Sequence, residues 1–141
     1  MNLVRKETAM FDLNPLTAIS REVREWMDKL EQRREARNQS TRTALKSLSL
    51  AVLETRAYLG QLSSGKKRRN LERERDISQL WNDAHMELRG IDASLADRCF
   101  AKADHWADPS LWNKGKIRQY NITLDSMSDA VRDLLTRSVR Q

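Results

Sequence analysis

The stretch ALKSLSLAVLETRAYLGQL, residues 44–62, decides the fold. Ala44, Leu45, Leu48, Ala51, Val52, Tyr58, Leu59 and Leu62 recur at three- and four-residue steps, which stacks their side chains on one face of an α-helix. Three heptad columns are largely apolar, and Thr55 is the one polar residue in the seam. A stripe that broad is covered from several sides, so the spacing predicts a central helix from about Ser40 to Leu62. Leu50 and Leu53 lie off the main stripe.

Upstream, Asn14-Pro15 reads as a helix start, since Asn caps open amides and Pro at the first helical position loses nothing by lacking an N–H. Leu16, Ile19, Val23, Trp26, Met27 and Leu30 then form a second seam, with Trp26 read as core. From Glu31 to Thr43 the only apolar residue is Ala36, so either the helix runs on beyond the core as a charged spur or the chain turns near Asn38–Thr41; the cap-type residues Asn38, Ser40 and Thr41 favour the turn. Residues 1–13, with Leu3, Val4, Met10, Phe11 and Leu13, read as an irregular N-terminal arm.

Downstream, Ser63-Ser64-Gly65 ends the central helix, Gly65 being suited to a left-handed cap. After a polar run from Lys66 to Asp76, Ile77, Leu80, Trp81, Ala84 and Leu88 resume the helical step. At Arg89-Gly90-Ile91-Asp92 the seam continues in step through Ile91 and Leu95, which suits one long helix, while a left-handed Gly90 and Asp92 capping a new helix favour a break. Leu95, Cys99, Phe100, Ala103 and Trp106 form the next stripe, which stops at Asp108-Pro109. Leu111 and Trp112 are expected to tuck under the bundle. Ile117, Tyr120, Leu124, Met127, Val131 and Leu134 predict one last helix.

The result is an all-α, antiparallel four-to-five-helix bundle over residues 14–141, a single domain preceded by the short arm. The composition agrees: 33% of residues are charged, and only 4 Gly and 2 Pro interrupt the chain. In this topology the 63–70 loop and the C-terminus share one pole, gathering Lys66, Lys67, Arg68, Arg69, Arg73, Arg75, Arg137 and Arg140. Ala96, Phe100, Ala103 and Pro109, with Leu80 and Ala84, resemble the helices of a tetratricopeptide repeat. That resemblance implies a close helical hairpin from Asp76 to Trp106 with small residues at the crossing; a single copy does not make a repeat protein.

Function is less legible. The net charge of +6 permits an acidic partner, nucleic acid or an anionic surface. Cys99, the single cysteine, falls in an apolar seam and excludes an internal disulfide, which fits a cytoplasmic protein. No run approaches the roughly 18 apolar residues that span a bilayer, so no membrane partner is expected. No ligand spacing points to a metal, and no motif points to a small-molecule cofactor.

The main expectation is a non-enzymatic helical interaction module, a small subunit or adaptor of a larger assembly. Leu50, Leu53, Leu135 and Val139 would form an apolar patch for a protein partner or a second copy. The alternative is a basic protein gripping RNA or DNA phosphates with Lys66, Lys67, Arg68, Arg69 and Arg73. A further alternative rests on Arg98 and His105, whose spacing resembles the R-x4–6-H element of the HEPN ribonucleases. In that family, also helical bundles, the His and Arg act on the scissile phosphodiester, usually across a dimer. The resemblance implies the same roles for Arg98 and His105, although Cys99 stands where the family usually has a small polar residue.

Overall fold

The computed structural model describes the backbone of residues 15–140 and the side chains of Arg21 and residues 23–138. The expected arm at 1–13, the Asn14 cap and the side chains of Leu16, Ile19 and Val139 lie outside them. Among the described residues the chain is helical throughout, without a strand: α1 (Pro15–Ser63), α2 (Leu71–Leu88), α3 (Ala93–Ala107), a 3-10 turn (Pro109–Leu111), a short α4 (Lys114–Gln119) and α5 (Leu124–Arg140). None of these helices is long and apolar enough to cross a membrane.

The expected turn at Asn38–Thr41 is absent. α1 runs unbroken for 49 residues. No Gly or Pro occurs between Pro15 and Gly60, and Glu, Gln, Arg and Ala fill positions 31–37 with strong helix formers. The cap-type residues are absorbed by the helix: Thr43 Oγ1 donates back to Gln39 O at 3.0 Å, and Thr41 is buried. The helix ends where expected, with Gly65 at φ 73° and its N–H on Leu62 O at 3.2 Å.

The chain divides into two compact units, residues 1–37 and 38–141. In the first, the described side chains of α1 from 23 to 36 are all exposed, Trp26 included. Trp26 was expected in the core; the turn that would have folded its seam onto the other helices does not form.

The second unit is an antiparallel bundle of the later half of α1 with α2, α3 and α5. Its core runs from Ala44, Leu48, Ala51 and Val52 on α1 through Ile77, Trp81 and Leu88 to Leu95, Cys99, Met127 and Leu134. Thr55, polar yet fully buried, is explained by its partners: its hydroxyl accepts Trp81 Nε1–H at 2.9 Å and donates to Ala51 O at 2.7 Å. The α2–α3 hairpin is close. Ser78 Oγ donates to Ala103 O at 2.7 Å and His85 Nδ1–H to Ala96 O at 2.9 Å, with buried Ala84, Ala96 and Ala103 letting the backbones approach.

The break between α2 and α3 uses Asp92, whose carboxylate accepts Leu95 N–H at 3.0 Å. Gly90, however, is not left-handed; among the described glycines only Gly65 has positive φ. Two further expectations fail: Leu111 is exposed rather than tucked away, and Phe100 is exposed while its neighbour Cys99 is buried.

The last helix is also interrupted, at Tyr120–Thr123. Asn121 takes the left-handed conformation (φ 59°), Ile122 drops fully into the core, and Thr123 Oγ1 caps α5 by accepting Ser126 N–H at 3.1 Å. Burying Ile122 and starting a new helix requires a reversal that a continuous helix cannot supply.

Candidate functional site

With α1 unbroken, the bundle loses one reversal and its poles are reassigned. Arg137 bonds Asp92 at 2.9 Å, which places the end of α5 beside the α2–α3 turn. The 63–70 loop instead meets the 108–124 connection, for Arg69, Pro109, Ile117 and Leu124 line one cleft. The expected gathering of Arg137 with the 66–75 residues is therefore overturned.

Within the basic stretch the five expected phosphate-binding residues separate into two groups. Lys66, Lys67 and Arg68 are exposed and make no ion pair among the described residues. Arg69 grips buried Glu74 with two bonds, Nε to Oε2 at 3.0 Å and Nη2 to Oε1 at 2.7 Å. The Tyr58 hydroxyl donates to the same carboxylate and accepts Asn70 N–H at 2.9 Å, tying α1 to the start of α2. The Arg69 fork holds the Glu74 carboxyl below its ordinary range despite burial. Arg73 pairs with Glu54 at 2.6 Å. Two of the five cations are thus committed to ion pairs within the chain.

Arg98 and His105 are not brought together. They lie seven residues apart on α3, about 10 Å along its axis. The Arg98 guanidinium is tied to the 121–126 turn, with Nε on Asn121 O at 3.0 Å and Nη2 on Ser126 Oγ at 2.7 Å. His105 packs between Trp106 and Trp112, with ring centroids 5.3 and 5.8 Å away. Its Nδ1 is buried without a hydrogen bond, and desolvation, helped by Lys102, pushes its pKa down to about 4. The two residues line different clefts.

Of the expected partner-binding residues, Leu50, Leu53 and Leu135 are exposed; the Val139 side chain lies outside the described set. Leu53 lines a shallow cleft of about 270 Å³ between α1 and α5 with Val52, Val131 and Arg132. Arg56 Nη2 donates to Ser128 Oγ at 2.7 Å and fixes that crossing. Antiparallel register then sets Leu135 one turn beyond Val131, level with Ser49.

A stronger apolar surface escaped the sequence reading. On α1 of the first unit, Val23 (44% exposed), Trp26 (60%), Met27 (57%) and Leu30 (38%) form a continuous stripe at i, i+3, i+4 and i+7. Spacing alone reads this stripe as core, because a covered and an uncovered stripe have the same pattern.

Cys99 is fully buried, and desolvation pushes its thiol up to about 12, which leaves it unreactive. Among the described residues no cluster of three or more His, Cys, Asp or Glu could hold a metal ion. No protein-family model matches the chain, and no curated protein or solved structure is significantly similar to it. The resemblances at residues 98–105 and 80–109 stand on those residues alone.

Proposed function

We propose that this chain is a non-enzymatic helical interaction module whose partner docks along the first half of α1. The observation that carries the reading is the exposed stripe of Val23, Trp26, Met27 and Leu30. Isolated exposed apolar residues are ordinary, but four in register on one face are the anchors with which an amphipathic helix enters an apolar groove or pairs with another helix. Trp is also the residue type most enriched among energetically dominant interface contacts. Leu50, Leu53 and Leu135 offer a second, smaller contact on the bundle. Buried Cys99 without a disulfide partner fits a reducing compartment, and we place the module in the cytoplasm.

The test is the double variant Trp26→Glu, Met27→Glu. Wild type should associate with itself as concentration rises, or retain a stoichiometric partner through purification, and the variant should do neither while keeping its thermal transition. A wild type that stays monomeric and partnerless at every concentration overturns the reading, as does a variant that assembles equally well.

Lys66, Lys67 and Arg68, exposed and without an ion pair among the described residues, favour a second reading, nucleic-acid binding at the tip of the 63–70 loop. Three phosphate contacts on duplex DNA give a slope of about −2.7 in log K against log salt. Replacing the three with Ala should abolish binding without altering stability; unchanged affinity removes this reading.

A further inference from the structure

At the pole where the 63–70 loop meets the 108–124 connection, a cleft of about 400 Å³ opens between α1, α3 and the start of α5. Leu59, Leu62, Ile117 and Leu124 supply apolar walls. Its polar lining is unusual for so apolar a space. Trp106 is 7% exposed, and its Nε1–H is buried without an acceptor. The neighbouring His105 Nδ1 is likewise buried and unpartnered.

Lys102 is 3% exposed, donates one bond to Ile122 O at 2.8 Å, and has no carboxylate partner among the described residues. Glu74 also lines the cleft, but both its oxygens are engaged by Arg69 and Tyr58. Arg69 and Glu74 cancel, so Lys102 leaves one uncompensated positive charge.

Buried donors and a buried cation without a counter-ion are costly unless something completes them. An indole N–H can only donate, and an ammonium has no acceptor capacity, so the complement is an anion with free oxygens. The walls call for an apolar body behind that anion. The volume suits a small organic molecule.

We propose that this cleft is a binding site for a small amphipathic monocarboxylate, its carboxylate facing Lys102 and Trp106 and its apolar chain lying against Leu59, Leu62, Ile117 and Leu124. The site lies within residues 38–141 and is independent of the α1 stripe.

The experiment titrates the full chain with octanoate, octanol and octylamine, reading the Trp106 indole N–H resonance by NMR and affinity by calorimetry. Octanoate should shift that resonance and bind at least tenfold more tightly than either uncharged octanol or cationic octylamine. Lys102→Met should remove the preference for octanoate over octanol. Should that variant fail to fold, Leu124→Trp, which fills the cleft from its rim, should abolish octanoate binding. The proposal is overturned by the absence of octanoate binding, by equal affinity for octanol, or by undiminished binding to Leu124→Trp.

Discussion

Thr55 shows how a single polar atom is fixed by its surroundings. A hydroxyl in the middle of the broadest apolar seam is tolerable because it takes the Trp81 indole N–H and returns its own proton to α1. Thr55→Val keeps the shape and orphans the indole, which should cost about 1–3 kcal/mol in urea denaturation. Thr55→Ser keeps the hydroxyl and should cost less; a neutral Thr55→Val would refute this account. Lys102 is the opposite case, a charge buried with one carbonyl for company. Desolvation lowers its pKa to about 8 in the folded chain, against roughly 10.4 when unfolded. Below pH 8 both states are protonated and the fold bears the burial cost. From pH 8 to about 10.4 the unfolded chain binds more protons, so this residue makes stability rise with pH. Cys99 acts in the other sense from about pH 8.5, where the unfolded thiol ionises and the buried one does not. Comparison with Lys102→Met cancels the Cys99 contribution. Wild type should gain on the variant between pH 8 and 10 in denaturation midpoints, and parallel pH profiles would contradict the assignment.

At the scale of elements, the helices themselves were legible and their ends were less so. The seams at 44–62, 77–88 and 95–106 emerge as helices with most of the expected residues inward, Leu59 and Phe100 being the exposed exceptions. Breaks depend on competition between weak local terms. Cap-type residues at 38–41 predicted a turn, but a cap stabilises an end only when something else stops the helix, and no Gly or Pro does so there. At Tyr120–Thr123 the reverse occurred. A spacing compatible with continuity was overruled by the fit of Ile122 into the core. That break depends on Asn121 in the left-handed region, steadied by Arg98 on its carbonyl. Asn121→Gly and Asn121→Ala both delete the side chain that Ser126 contacts, so their difference isolates the backbone. Ala should be less stable than Gly by about 1 kcal/mol, the left-handed penalty less the unfolded-state entropy that Gly loses. Equal stabilities would mean that the turn relaxes in the Ala variant.

At the scale of the whole molecule, the division at residue 37 separates the buried core from a stretch of α1 whose described apolar side chains are exposed. Among the described residues every buried hydrophobic one lies between Ala44 and Leu134, and the stripe at 23–30 is exposed. Sequence periodicity could not show this, since it reports that one face of a helix is apolar and says nothing of what covers it. The candidate site was legible in the same limited way. Lys66, Lys67 and Arg68 were identifiable by composition, whereas the commitment of Arg69 and Arg73 to Glu74 and Glu54 depended on tertiary placement. The Trp106–Lys102 cleft carried no sequence signal, because its parts come from separate helices brought together by the 108–124 connection. Removal of residues 1–37 should therefore leave a folded bundle. Asn38 can cap the shortened α1, and the buried apolar residues from Ala44 to Leu134 all lie within the fragment. The fragment 38–141 should melt within about 2 °C of the full chain, less than the shift that 1 kcal/mol brings to a domain of that size. It should keep any octanoate affinity and lose assembly through α1. A fragment that unfolds would show the stripe to be part of the stabilising core; one that still assembles would move the interface to Leu50, Leu53 and Leu135.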